Sequence, residues 1–309
     1  MIVVAGEALI DLVPQSGGDA LAPLLPARGG GPYNTAVALG RLGAEVSFCS
    51  RVSTDAFGTS LVARLGEEGV RTELVQRGPE PTTLALAALD ATGSASYTFY
   101  VNGSADRLFV LPPQLPDAVE ALAVGTCSLV LEPGASAYEA LMRREAGRGV
   151  FVLLDPNIRA GLIEDPAAYR ERFWRWLPSV SLLKLSEEDA QWLGADVRGW
   201  LAAGPGAVVL TRGGDGLSVY TRGGGEWSVA GEKAEVIDTI GAGDTVNAAL
   251  LHALGERKLL GAGALDGVSG QEWREILRFA ARAAAVTCSR AGAEPPCVGE
   301  LEEGVTAGE

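Results

Sequence analysis

The stretch Asp238-Thr-Ile-Gly-Ala-Gly-Asp-Thr-Val-Asn247 decides how this chain is read. Its core, Gly241-Ala242-Gly243-Asp244, runs straight into the apolar series Ala248, Ala249, Leu250, Leu251, Ala253 and Leu254. That is a glycine turn opening into a helix. The first N–H groups of a helix have no internal partner and lie at the positive end of its dipole. Such a turn holds anions. Glycine at 241 and 243 lets an anion come close to the backbone. Asp244 adds a negative charge at the same place, which a site made only for phosphate would avoid. A base working beside a phosphate fits better, so turn and acid together point to phosphoryl transfer onto a hydroxyl. The plainer reading is a helix start with an acidic cap, and the rest of the chain has to separate the two.

With 309 residues, 47% of them hydrophobic and 21% charged, the composition is that of a globular protein with a large core. The length fits one open α/β unit spanning 1–309. The 25 basic and 39 acidic residues leave a net charge of −14, and the basic residues form no block. Such a surface repels nucleic acid and anionic membranes, so neither is an expected partner. The cysteines at 49, 127, 288 and 297 form no CxxC pair, so a disulfide framework or zinc site is not expected. His252, the single histidine, falls on the helix after Asp244 and reads as an ordinary helix residue. The N-terminus reads as a strand rather than a leader. No apolar run approaches the ~18 residues that span a membrane. A cytoplasmic protein is expected.

Apolar runs at 2–5, 46–52, 128–131, 150–154, 181–185 and 207–210 predict buried strands, and amphipathic stretches between them predict helices. This alternation implies a mostly parallel sheet covered on both faces. Segments near 8–30 and 82–101 alternate differently and predict a small β lid, with a hairpin turn at Asp90-Ala-Thr-Gly93. Residues 217–220 and 227–230 predict an antiparallel pair, and the tail after Gly299 reads as frayed. Ligands of such sheets bind beyond the carboxyl ends of the strands. Asp11, Glu132, Asp155 to Asn157, Ser186 to Asp189 and Thr211 all follow apolar runs, which places them along one crevice.

Two motifs in this order carry a resemblance. Asp238 to Asp244 resembles the C-terminal signature of the PfkB (ribokinase-like) carbohydrate kinases, and Gly29-Gly-Gly-Pro-Tyr-Asn-Thr-Ala-Val-Ala-Leu-Gly-Arg-Leu-Gly43 resembles their N-terminal signature. The likeness extends from Gly6 to Ala293. It implies a ribokinase-like three-layer α/β/α sandwich with a small β lid, and an ATP-dependent sugar kinase. Asp244 is then the base that takes the proton of the acceptor hydroxyl, and Gly241, Ala242 and Gly243 form the anion hole. Phosphoryl transfer needs positioning and charge stabilisation of this kind. Asp11, Gly30, Gly31, Asn34, Tyr100 and Arg159 are the implied sugar contacts. Thr211-Arg-Gly-Gly-Asp-Gly216 resembles the family's nucleotide loop. Thr211, Gly213, Gly214, Gly216, Gly243, Lys184, Ser186 and Ala281 are the implied ATP contacts. Mg²⁺ is implied with ATP, served through water by Glu188 or Asp189. K⁺ is implied beside Asp238, with carbonyls of residues 287–292. A dimer through the lid edge, frequent in the family, is a further expectation.

The chain also departs from the pattern. Ser186-Glu-Glu-Asp189 stands where the family often has Asn-x-x-Glu, although Lys184-Leu-Ser186 fits the fructokinase variant. Ile240 and Val246 replace the more usual Thr and Phe. Residues 98–106 and Asp155-Pro-Asn-Ile-Arg159 look like fructokinase segments, yet Val101 replaces an arginine and Tyr33 a small residue. Fructose is the expected acceptor, with 2-keto-3-deoxygluconate, ribose or a nucleoside as alternatives. A sugar- or nucleotide-sensing protein on the same fold is the alternative outside catalysis.

Overall fold

The computed structural model describes residues 1–15, 21–89 and 95–303. The chain starts with β1 (Ile2–Ala5), then leaves the main sheet for β2 (Leu9–Pro14) and β3 (Leu24–Gly29). It continues through α1 (Gly31–Arg41), β4 (Val46–Ser53), α2 (Ala56–Glu67), β5 (Val75–Gly78), β6 (Leu84–Leu89) and β7 (Ala95–Tyr100). Next come β8 (Ala121–Gly125), α3 (Gly134–Gly147), β9 (Phe151–Asp155), α4 (Pro166–Trp176), β10 (Leu182–Ser186), α5 (Glu187–Leu193) and α6 (Val197–Ala203). The last part holds β11 (Ala207–Thr211), β12 (Leu217–Thr221), β13 (Glu226–Val229), α7 (Ala242–Glu256), α8 (Gly270–Cys288) and α9 (Val298–Glu303).

Among the described residues the main sheet has nine strands, in the order β13-β12-β11-β10-β9-β8-β1-β4-β5. The strands from β5 to β11 pair in parallel, and β12 and β13 add antiparallel. Strand alternation splits the core into two layers. Ile2 and Val4 pack on one face with residues of α1, α7 and α8, while Val3 and Ala5 pack on the other with α3 and α4. This is the expected three-layer α/β/α sandwich. The chain runs outward from β1 to β4 and β5, then restarts at β8 on the opposite side of β1. Strand order therefore reverses at β1 and β8, and a crevice opens beyond their carboxyl ends.

The small sheet has the order β3-β2-β6-β7. β2 pairs antiparallel with β3 and parallel with β6, and β6 pairs antiparallel with β7. The strands expected near 8–30 and 82–101 are there, while the turn expected at Asp90 to Gly93 lies outside the described residues.

Three expectations need correction. The strand expected at 128–131 is a 3₁₀ turn, Thr126–Leu129, and the true strand is Ala121–Gly125 just before it. Both segments are buried throughout, so apolar character alone does not separate them, and the strand's alanines have low β propensity. Glu132 thus follows no strand. It is half-exposed and pairs with Arg172 at 3.0 Å. The tail is not frayed directly after Gly299, because α9 continues through Glu303, its Leu301 buried.

Candidate active site

The turn quoted first is built as its glycines demand. Gly241 stands at the N-cap of α7 with φ 77°, a left-handed conformation that L side chains rarely adopt. A Cβ at Gly241 would lie 2.6 Å from the Cβ of Ala293. Asp238 fixes the turn from outside: its two carboxylate oxygens accept from Ile240 N at 3.0 Å and Gly292 N at 2.9 Å. The helix start is thereby tied to the loop after α8.

Asp244 lies in the first turn of α7 and is 7% exposed. Asn34, from α1, donates its amide to Oδ2 of Asp244 at 2.9 Å. Thr35 donates to the Asp244 carbonyl at 3.3 Å. The two signature segments, 210 positions apart, therefore meet in one hydrogen bond. Burial pushes the Asp244 carboxyl up to about 7 from its ordinary 3.8, the Asn34 hydrogen bond opposing, and Asp155 adding to the rise. Asp11, on β2, is pushed up to about 6 by burial, with Arg159 opposing and Asp238 adding.

A cavity of about 280 Å³ opens in front of Asp244. Asp11, Gly30, Gly31, Asn34, Arg159, Gly241, Gly243 and Asp244 all line it. A second cavity of about 630 Å³ lies beside it, walled by Thr211, Gly213, Gly214, Gly216, Ala242, Gly243 and Ala281. Val246, Ala284 and Leu217 make much of its wall apolar. The two cavities share Thr239 and Gly243. Asp244 stands at that junction, with its helix start between them.

Other expected contacts line neither cavity. Tyr100 is 58% exposed; the small sheet turns Tyr97 and Phe99 to the cavity instead. Strand period 2 puts 97 and 99 on one face and 100 on the other. Lys184 is buried and pairs with Asp155 at 2.8 Å. Ser186 caps α5, accepting from Asp189 N at 3.0 Å. Asp189 is buried and accepts from Ile158 N at 2.8 Å and Ser186 N at 3.4 Å. Glu188 is exposed. Asp238 holds the turn from behind.

Sequence reasoning missed Glu7 and Thr126 on the wall of the first cavity, where Asn157, expected along the crevice, also lies. Glu7 is buried and accepts hydrogen bonds from Thr126 and from the hydroxyl and amide of Ser128. Burial pushes its carboxyl up. Its position just past β1 was a usable signal. Thr126 and Asn157, just past β8 and β9, have φ of 59° and 41°. Left-handed non-glycine residues of this kind gather at functional sites, but that signal exists only in the backbone. His252 stacks on Phe279 with ring centroids 5.6 Å apart, away from both cavities. Among the described residues no cluster of His, Cys, Asp or Glu is arranged to hold a metal ion by itself. No helix there is long and apolar enough to cross a membrane.

A mostly parallel α/β sheet with a buried carboxylate at a helix start beside two cavities is an arrangement suited to phosphoryl transfer. Residues 1–298 match the pfkB family carbohydrate kinases, and the chain belongs to that family. It is 38% identical over 268 residues to a fructokinase of Rhizobium leguminosarum bv. trifolii, covering 84% of this chain and 81% of the relative. It is 34% identical over 311 residues to a fructokinase of Escherichia coli, covering 97% of each. The crystal structure of a fructokinase from Xylella fastidiosa with bound ATP superposes with TM-score 0.89 at 28% identity, covering 99% and 98% of the two chains. A fructokinase from Vibrio cholerae O395, in a form binding fructose, ADP and calcium ion, superposes with TM-score 0.83 at 28% identity, covering 98% and 97%.

Proposed function

We propose that the protein is a fructokinase, transferring the γ-phosphoryl group of ATP to D-fructose to give fructose 6-phosphate. The observation that carries this reading is the position of Asp244 at the junction of the two cavities. The sugar occupies the smaller cavity. Asp11 accepts from its hydroxyls, and Asn34 and Arg159 face it. ATP occupies the larger one, its base against the apolar wall near Ala281 and its phosphates toward the glycine loop and the turn at 241–243. Asn34 holds one oxygen of Asp244, and the other oxygen takes the proton of the acceptor hydroxyl. That hydroxyl attacks the γ-phosphorus in line, the bond to the β-phosphate oxygen breaks, and ADP leaves. The N–H groups at the start of α7 stabilise the charge on the transferring group. Tyr97 and Phe99, on the small sheet acting as a lid, shield the reacting atoms from water.

Mg²⁺ would supply charge neutralisation on the ATP phosphates. It takes few protein carboxylates beside phosphate oxygens and water. Glu188 and Asp189 would act only through water. K⁺ beside Asp238 would stiffen the turn that this side chain already ties to Gly292, and replacing Na⁺ with K⁺ should raise turnover.

Three carboxylates, Glu7, Asp11 and Asp244, face the first cavity against the one guanidinium of Arg159. This balance suits a neutral polyol better than an acidic sugar. ADP release measured over fructose, ribose, 2-keto-3-deoxygluconate and nucleosides tests the assignment. Turnover of another acceptor with none on fructose would remove the fructose reading and keep the kinase.

A further inference from the structure

Lys184 is read from sequence as an ATP contact, and in the fold it lines neither cavity. It lies on β10 with a side chain 5% exposed, and it donates to Oδ2 of Asp155 on β9 at 2.8 Å. Asn247 of α7 donates to the same oxygen at 2.7 Å. The ammonium sits directly under the anion turn: a Cβ at Gly243 would come 3.0 Å from Nζ. A cation at a helix N-terminus opposes the helix dipole, so helix stability does not account for it. The placement becomes favourable when an anion occupies the turn. Oδ1 of Asp155 is buried without a partner, so Asp155 is not a fully satisfied structural acid either.

We infer that Lys184 is a positioning residue for phosphoryl transfer and not a nucleotide ligand. Its buried ammonium, clamped by Asp155, lends positive charge to the turn at 241–243 from inside the protein. This rests on Asp244 being the base. The charged and polar groups facing Asp244 are Asn34 from α1, Asp155 from β9, Arg159 beyond β9 and Lys184 from β10. Lys184 and Arg159 favour the Asp244 carboxylate, and Asp155 opposes it. Lys184 and Asp155 therefore set the base in opposite directions while holding each other in place. A Cβ at Gly243 would crowd this ammonium, which would have to give by a few tenths of an ångström.

The test uses Lys184→Met, Asp155→Asn and the double variant, with Mg-ATP affinity by calorimetry and kcat/KM against pH. Lys184→Met should lower kcat at high pH by roughly tenfold, the scale of one charge at a helix terminus. Its Mg-ATP affinity should stay within about twofold, far below the tenfold that ~1.4 kcal/mol of lost contact would cost. Its acid limb should move to higher pH, and that of Asp155→Asn to lower pH. The double variant leaves no unpaired buried charge, so it should fold even where a single variant does not. Its limb should lie between the two, and its kcat should stay reduced. Loss of ATP affinity in step with kcat, unmoved limbs, or a wild-type kcat in the double variant would overturn the inference. Asp244→Asn is the control. Full turnover in that variant would remove the base reading itself, whereas an inactive Asp244→Asn beside a wild-type-like Lys184→Met removes only the role of Lys184.

Discussion

Asp244 is subject to two opposed effects, burial that favours its neutral form and the Asn34 amide that favours its charged form. Burial wins, and the group is poised near neutrality, where a general base is most effective. Asp244→Asn should lower kcat by at least ~10²-fold, the range for a positioned base, with ATP still bound in calorimetry. With Asp244 as the proposed base, log kcat/KM should fall with decreasing pH below about 7 and steepen below about 6 as Asp11 protonates. Stability runs the other way. Both native carboxyls sit above their ordinary values, so the folded protein holds more protons than the unfolded chain between those values and the native ones. Their contribution is full below the ordinary value of 3.8 and is lost as pH rises through about 6 and about 7. Thermal unfolding without ligands should show a smaller drop in Tm from pH 5 to pH 8 in Asp244→Asn than in the wild type. Asp244 and Asn34 were both legible as residues; the 2.9 Å bond between them was not, because nothing local records a contact across 210 positions.

The start of α7 is the element on which the proposed chemistry depends. Its left-handed Gly241 and the tie from Asp238 to Gly292 set the direction of its first N–H groups. Gly241→Ala combines a strained φ with a clash against Ala293. It should cost ~1–3 kcal/mol of stability and lower kcat/KM for ATP more than for the sugar, as steady-state kinetics and a melting curve together would show. This element was legible because glycine, acid and the following apolar run are all local signals. β8 was not. Ala121 to Gly125 carries little strand propensity and is buried by its neighbours β1 and β9, so its conformation comes from pairing. The same holds for β7, where existence was legible but the inward face was not. A shift of one residue exchanges Tyr100 for Tyr97 and Phe99.

At the scale of the molecule, the small sheet brings Tyr97 and Phe99 to the cavity lined by residues just past β1 and β8 and by the start of α7. Tyr97→Ala should raise KM for the sugar severalfold while leaving Mg-ATP affinity unchanged, because the larger cavity, proposed for ATP, has no wall from this sheet. An equal loss in both would mean that the sheet serves the whole fold and not the acceptor. By itself the sequence determined the layered α/β class, the glycine-acid turn and the glycine loop at 213–216, since each is written in neighbouring residues whose propensities act locally. Only the tertiary structure decided that Lys184 pairs with Asp155, that Tyr97 and not Tyr100 lines the cavity in front of Asp244, and that burial pushes the Asp244 carboxyl up to about 7. Those properties depend on burial and on charges that distant strands bring together, and local sequence carries neither.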